Sequence, residues 1–384
     1  MTNVALARRW MFRCALAKSG VLSVPSANFP SLIQSMTSSK TLGFGIIGCG
    51  VIADFHAQAI ANLTGARLVG VADQIEAAVT RLATKHQVGF ATTNVAELLA
   101  RPDIDIVCVT TPSGAHLEPA LAAVKAGKHV VVEKPIEITV ERVDELLKAA
   151  DAANVKIAAI FQSRSGTGAR TVKAAIEAGR FGSLVLCSAY VKWHRAADYY
   201  RGWKGTLKLD GGGAVMNQGV HAVDLLQWFA GMPEEVFAWK TRRVHTGIEA
   251  EDTAAATLRF ASGALGSIEA TTAAYPGFNK RIEITGSNGS CILEDDRILA
   301  WEFREPKPED AAIKVAGQTV DMGSGATNPT AINFYGHQLQ LQDLVDAVRE
   351  NRRPAVEGRE ARNAVALIRA IYASAESGKP VKVS

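Results

Sequence analysis

Residues 42–53 read LGFGIIGCGVIA, and this stretch decides the fold. A strand-like run enters Gly48-Cys49-Gly50-Val51-Ile52-Ala53, a G-x-G-x-x-A turn, and a helix-period segment follows over 51–63. In such a turn the first glycine allows a tight bend. The second lets backbone approach a pyrophosphate, and the small third residue permits close packing of helix on strand. Gly48, Gly50 and Ala53 hold those positions, and Gly50, Val51 and Ile52 open the helix whose unpaired N–H groups would face the phosphates. An acidic residue lies about 20 residues on, at the end of RLVGVAD: Asp73. Its carboxylate suits ribose hydroxyls and repels a 2′-phosphate, and its neighbours Gln74 and Ile75 bring no positive charge. NAD is therefore expected, with NADP disfavoured. Capping the next helix is a second role open to Asp73.

Working outward, the apolar runs RLVGVAD, DIVCVTT, HVVVEKP and KIAAIFQ alternate with helix-period segments at 75–86, 95–101, 114–126 and 138–152, and a weaker strand fits 88–92. Continuous apolar strands alternating with helices predict a parallel sheet covered on both faces, hence a doubly wound α/β domain over 42–164. After a helix at about 166–180 the pattern changes. Runs at 184–195, 234–245, 252–260, 264–274, 280–286 and 291–303 follow one another, with ASGALG and GSNGS as hairpin connections. Residues 165–384 are thus expected to form an α+β domain on an open, mostly antiparallel sheet. Within it, 305–330 reads as a long surface loop, and helices are expected at 334–351 and 358–377.

The 384-residue chain is 48% hydrophobic and 21% charged, the balance of a globular protein. Its net charge of +4 is local: residues 1–53 hold Arg8, Arg9, Arg13, Lys18 and Lys40 and no acid, leaving 37 basic against 38 acidic residues elsewhere. A near-neutral body gives no case for nucleic acid or membrane partners. No apolar stretch is long enough to span a bilayer. Cys14, Cys49, Cys108, Cys187 and Cys291 are odd in number and scattered, which fits a reducing compartment and a cytoplasmic location. Residues 1–41 lack a core-forming pattern and are set apart as an extension. An early start with Met36 as the true beginning, an organelle transit peptide and a twin-arginine export signal are the readings open for it.

Ligands of open α/β sheets bind at the carboxyl ends of strands. Thr110-Thr111-Pro112 and Glu133-Lys134-Pro135 both end strands, and Lys134 is a lone cation where a nicotinamide would lie. Pro135 there implies a backbone bend and allows a cis bond. Further on, Arg195, Tyr199, Tyr200, Arg201, Trp203 and Lys204 crowd the segment before Gly211-Gly212-Gly213. Aromatics with forked donors suit a polyhydroxylated ligand, and Arg195 or Arg201 could hold a carboxylate or phosphate. A helix then carries Asn217 and His221 on one face, with Asp224 placed to orient the His221 ring. His56, His86, His129, His194, His245 and His337 show no metal-ligand spacing, so no catalytic metal is expected.

GCGVIA, TTPSGAH, EKP and GGGAVMNQGVHAVDLL, in that order from residue 42 onward, resemble the Gfo/Idh/MocA oxidoreductases. The resemblance implies a Rossmann domain followed by an open-sheet domain, a bound NAD or NADP, and oxidation or reduction of a sugar, polyol or sugar-acid hydroxyl or carbonyl. It implies homodimers or homotetramers built on the C-terminal sheet. It assigns Lys134 to the reacting hydroxyl and the nicotinamide ribose, and His221 to acid/base catalysis. Thr111, Pro112, His116, Gln162 and Arg164 fall to the cofactor, and Glu133, at the strand end with Lys134, is expected with them; it is the chemistry of their own side chains that puts Arg195, Tyr199, Tyr200, Trp203 and Asn217 at the substrate. One departure stands out: many members carry Asp four residues before the histidine, and Asn217 cannot serve as a base. Two rival readings are an NAD-dependent glycoside hydrolase using transient oxidation and a non-catalytic cofactor sensor. The intact Lys134 and His221 argue against the sensor.

Overall fold

Strands buried on both faces need helices on both sides, and the computed structural model, which describes residues 40–316, 325–326 and 333–384, begins with such a layer. Its elements are β1 (Leu42–Ile47), α1 (Val51–Ala61), β2 (Ala66–Ala72), α2 (Glu76–His86), β3 (Phe90–Thr92), α3 (Val95–Leu99), β4 (Ile106–Val109), α4 (Leu117–Lys125), β5 (His129–Val132), α5 (Val140–Ala153) and β6 (Ile157–Ala159). All six strands are parallel in the order β3-β2-β1-β4-β5-β6. The order reverses between β1 and β4, and the crevice beyond their carboxyl ends is the binding edge of a doubly wound sheet.

The second layer follows α6 (Thr167–Glu177). Its strands are β7 (Leu184–Lys192), β8 (Pro233–Thr241), β9 (Thr253–Phe260), β10 (Leu265–Thr271), β11 (Arg281–Gly286), β12 (Gly289–Glu294) and β13 (Arg297–Phe303), with α7 (Val220–Ala230) before β8. The helices α8 (Glu309–Ala316), α9 (Tyr335–Arg349) and α10 (Gly358–Ser377) come next, and β14 (Val381–Lys382) ends the chain. The sheet runs β13-β12-β11-β7-β10-β9-β8-β14 and is antiparallel except where β7 meets β10. One face is core: Cys187, Ala189, Ala256, Leu258, Ile268 and Ile284 are buried with α7 and α10 residues such as Val223 and Ile368. The other carries Leu186, Trp239 and Leu265 exposed, with Phe237 edge-on to Trp239 at 4.4 Å.

Three local expectations change. The run 291–303 is two strands, because Asp295 takes a left-handed conformation (φ +50°) and turns the chain at Asp295-Asp296. Aspartate tolerates that conformation without a glycine to signal it. The segment 305–330 contains α8, and its residues 317–324 and 327–330 lie outside the described ones, as do residues 1–39. Finally, α9 crosses back: Leu341, Leu344 and Val345 are buried with Phe44, Ala53, Ala57 and Ile60 on the first layer. Among the described residues no helix is long and apolar enough to cross a membrane.

The two layers are also stitched by charge. Arg164, just after β6, donates from Nε and Nη2 to Asp224 of α7, both at 2.7 Å, and from Nη1 to Glu360 of α10 at 2.8 Å. Arg164 therefore spends its guanidinium on packing rather than on a cofactor. Asp224 is likewise committed to Arg164 and Gln227, not to the His221 ring. Removing one partner of a buried pair leaves the other charge stranded, at about 3–5 kcal/mol. Arg164→Ala should thus lower the melting temperature sharply while leaving the NAD dissociation constant within about threefold. Arg164→Met with Asp224→Leu should recover most of the stability, as read by thermal denaturation.

Candidate active site

A cleft of about 1260 Å3 opens at the carboxyl ends of β1, β4 and β5 and continues under the second sheet. At its first end Gly48 and Gly50 are glycines for different reasons. Gly48 has φ +98°, and a Cβ there would sit 2.7 Å from the Thr111 backbone nitrogen, so the fold itself requires it. Gly50 has φ −73°, and a Cβ there would meet nothing within 4 Å. Nothing in the chain demands glycine at position 50; a ligand pressed against that backbone would. No side chain caps α1 at Gly50, and Val51 and Ile75 border the cleft while 66% and 64% exposed. Exposed apolar side chains beside an uncapped helix N-terminus fit an anionic ligand with flat apolar ends.

Asp73 lines the same end. Its Oδ2 accepts from the Cys49 N–H at 2.6 Å and its Oδ1 from the Ile75 N–H at 2.9 Å. The carboxylate thereby locks the glycine turn to the end of β2. It is not the cap of α2, whose N-cap position is Ile75. Thr111, Pro112 and His116 also border the cleft. His116 ties two loops together, with Nδ1 2.9 Å from the Pro135 carbonyl and Nε2 2.9 Å from that of Thr111.

In the middle, the Lys134–Pro135 bond is cis and Lys134 Nζ donates to the Asn217 carbonyl at 2.8 Å. Glu133 beside it is buried. Its Oε1 accepts from His56 Nε2 at 2.8 Å and His337 Nε2 at 3.1 Å, and its Oε2 from the Lys134 N–H at 3.0 Å. Burial would raise the Glu133 carboxyl, but the bonds from His337 and His56 outweigh it and hold it well below the usual range. Burial lowers the Lys134 ammonium, opposed by the charges of Glu133 and Asp210. The expectation of no metal-like grouping needs correcting in space: His56 and His337, far apart in sequence, converge with Glu133 within 4.8 Å. Metal-bound imidazoles normally donate their second nitrogen to a partner, whereas Nδ1 of both rings is unpartnered. Two imidazole N–H groups on one carboxylate account for the arrangement, which keeps an anion beside the Lys134 ammonium.

The substrate end is shaped by Gly213 and Glu251. A Cβ on Gly213 would lie 1.8 Å from the Glu251 carbonyl oxygen, and the Glu251 carboxylate accepts from the Gly213 and Val215 N–H groups at 3.0 and 2.9 Å. The chain then forms a π-helical turn, Ala214–Gly219, before α7. Such turns recur at functional sites, and this one widens the expected helix so that Asn217, Gln218 and His221 all border the cleft. His221 packs edge-on against Phe161 at 6.1 Å, and its Nδ1 has no partner. Burial, then the charges of Lys134 and Lys280, hold its pKa well below 6.5, so the ring is neutral at pH 7.

Of the residues expected at the substrate, Arg195, Tyr199, Trp203 and Asn217 border the cleft. Arg195 has its guanidinium engaged by the carbonyls of His194, Gly325 and Ala326. Tyr200 does not border the cleft: its hydroxyl bonds to Thr272 at 2.7 Å and its ring lies against His245. Gln162, expected at the cofactor, borders the cleft, and Arg164 does not. Lys280, Gln218 and the carboxylate of Asp210 behind Asn217 went unread in the sequence. Only the placement of Asp210 directly before the triple glycine could have signalled it.

Residues 42–161 match the model for the oxidoreductase family with an NAD-binding Rossmann fold, and residues 169–292 match the Gfo/Idh/MocA C-terminal domain. Myo-inositol 2-dehydrogenase of Thermotoga maritima is 29% identical over 346 residues, covering 88% of this chain and 98% of that one. The WlbA dehydrogenase of Bordetella pertussis, solved with NADH and UDP-GlcNAcA, is 34% identical at a TM-score of 0.83, covering 90% of this chain and 99% of that one. The Chromobacterium violaceum counterpart, solved with the same two ligands, is 33% identical at a TM-score of 0.81, covering 90% and 97%. A cradle that leaves Gly50 open to a pyrophosphate, and both domain matches in sequence order, place this chain in the Gfo/Idh/MocA family as an NAD-dependent oxidoreductase of the sugar and polyol dehydrogenase type.

Proposed function

We propose that the protein oxidises a secondary hydroxyl of a sugar acid carried on a nucleotide, or reduces the matching carbonyl. The observation that carries the reading is the convergence of Lys134 and His221 on one cleft that begins at the open backbone of Gly50. NAD, held by Gly48, Gly50, Val51, Ile52 and Asp73, supplies the hydride acceptor. His221, neutral and bordering the cleft, takes the hydroxyl proton. Lys134, steered by its bond to the Asn217 carbonyl, stabilises the oxygen as it becomes a carbonyl. Lys204, against the Tyr199 ring at 3.8 Å, and Lys280 add cations to the substrate end that suit a carboxylate. UDP-GlcNAcA, bound by the WlbA relatives, is the first substrate to try, within a panel of polyols, aldoses and uronates followed by NADH formation. Release of aglycone from a glycoside without net NADH would favour the hydrolase reading instead.

The two glycines separate cofactor binding from folding. Gly50→Ala should leave the melting temperature within about 2 °C and weaken NAD binding tenfold or more, because the added methyl occupies only ligand space. Gly48→Ala should reduce both, since its Cβ enters the Thr111 backbone. Fluorescence titration with NADH and thermal denaturation read the pair.

Lys134→Ala and His221→Ala should each lower turnover at least about a hundredfold, with NADH affinity little changed for the histidine variant. The His221 pKa is depressed in the folded protein, so protonation switches the base off only below 6.5. Turnover of the unmutated protein should hold from pH 8 down through 6.5 and fall only below it, and that acidic limb should be absent from the residual activity of His221→Ala. Near-normal turnover in His221→Ala would remove the residue from the mechanism.

We assign self-association to the open face of the second sheet, where Trp239, Leu186 and Leu265 are exposed. Trp239→Arg should lower the sedimentation coefficient to that of a smaller assembly. An unchanged coefficient would move the contact elsewhere.

A further inference from the structure

Asn217 stands on the cleft wall between Lys134 and His221, and its side chain is held from behind. Asp210, 1% exposed, accepts from Asn217 Nδ2 at 2.6 Å through Oδ1 and from the Gly205 N–H at 2.8 Å through Oδ2. An ionised carboxylate only accepts hydrogen bonds. The Asn217 group facing it must therefore be the NH2, and Asn217 Oδ1 must point the other way. On that side the Tyr199 hydroxyl, which accepts from Gln218 Nε2 at 2.8 Å, donates to Asn217 Oδ1 over 3.5 Å, a weak bond that leaves the second lone pair of Oδ1 unused. Asn217 Oδ1 thus keeps acceptor capacity at the cleft. A flipped amide would set its oxygen against the carboxylate and lose a charge-assisted bond.

We infer that Asp210 is a positioning residue: it fixes the Asn217 amide so that Oδ1 accepts a hydrogen bond from a hydroxyl of the bound substrate. The inference rests on the reading of the cleft as a sugar dehydrogenase site. It adds a specificity that the Lys134–His221 pair does not provide. The substrate must present a donor to position 217, so a ligand with an ether or deoxy carbon there is rejected. Asp210 can do this at neutral pH: burial pushes its carboxyl up to about 6, held there by the bonds from Gly205 and Asn217 and by the charges of Lys134 and Lys204, so it is ionised at pH 8.

The test is a carboxylate–amide exchange, run at pH 8. Asp210→Asn leaves one acceptor oxygen for two donors and frees the Asn217 amide to flip. Its KM for the alcohol substrate should rise about tenfold or more, with a smaller change in kcat. In Asp210→Asn with Asn217→Asp, the Asn introduced at 210 donates to the Asp introduced at 217 and still accepts from Gly205. KM should return to within about threefold of the unmutated value. A second readout needs no turnover. In NADH-bound protein labelled with 15N-asparagine, the Asn217 side-chain NH2, identified by its loss in Asn217→Asp, should be shifted downfield and slow to exchange. Asp210→Asn should abolish that signature. An unchanged NH2 signal or an unchanged KM in Asp210→Asn overturns the inference. If that variant does not fold, the double variant decides: recovered KM supports the pairing and a lost one overturns it. Absence of any turnover in the unmutated protein would instead strike the dehydrogenase reading, while the amide signature would still judge Asp210.

Discussion

The 2.8 Å hydrogen bond from Lys134 to the Asn217 carbonyl joins the carboxyl end of β5 to the π-helical turn that leads into α7. It is a point at which the two layers meet on the wall of the cleft. Everything around it serves to keep an ammonium at that place without neutralising it. Burial alone would favour the uncharged amine. Glu133 on one side, held anionic by its bonds from His337 and His56, and Asp210 on the other oppose that loss. A positive group beside His221 then has a second effect, since it helps keep that ring neutral and able to take a proton.

The charges that the cleft needs are offset by charges that it does not use. Arg164, Asp224 and Glu360 form a pair-and-brace across the end of β6, α7 and α10. Buried ion pairs of this kind contribute little net stability over an apolar packing of equal volume, but they tolerate only one arrangement. Here the arrangement ties α7, within one turn of His221, to the end of β6 and to α10. The Glu251 carboxylate does similar work on the other side of the π turn, holding Gly213 and Val215 by their backbone N–H groups. The turn is stabilised by acceptors that reach it from distant parts of the chain rather than by its own propensity.

The relatives that share this scaffold include a dehydrogenase named for myo-inositol and one solved with NADH and UDP-GlcNAcA. Such breadth is what the division of labour predicts. The glycine turn, Asp73, Lys134 and His221 line one part of the cleft, while Trp193, Arg195, Tyr199, Arg201, Trp203 and Lys204 line another.

Local chemistry made much of this legible. The alternation of Val- and Ile-rich runs with helix-period segments specified the doubly wound layer from residue 42, because a strand covered on both faces has to be apolar throughout. Gly48, Gly50 and Asp73 could be read because their roles depend on neighbours within one strand-turn-helix unit. The features that went unread are those made by distant residues. His56 and His337 meet on Glu133 only when α9 returns to the first layer. Asp224 lies one turn from His221 in sequence, yet the approach of Arg164 from 60 residues away claims it. Asp210 and Asn217, by contrast, are near in sequence, and they meet across a turn in which Gly211 takes φ +76°. Periodicity and spacing report which face of an element a residue occupies; which charge a buried polar group pairs with is settled only when the layers close, because desolvation penalises every arrangement that leaves one unpaired.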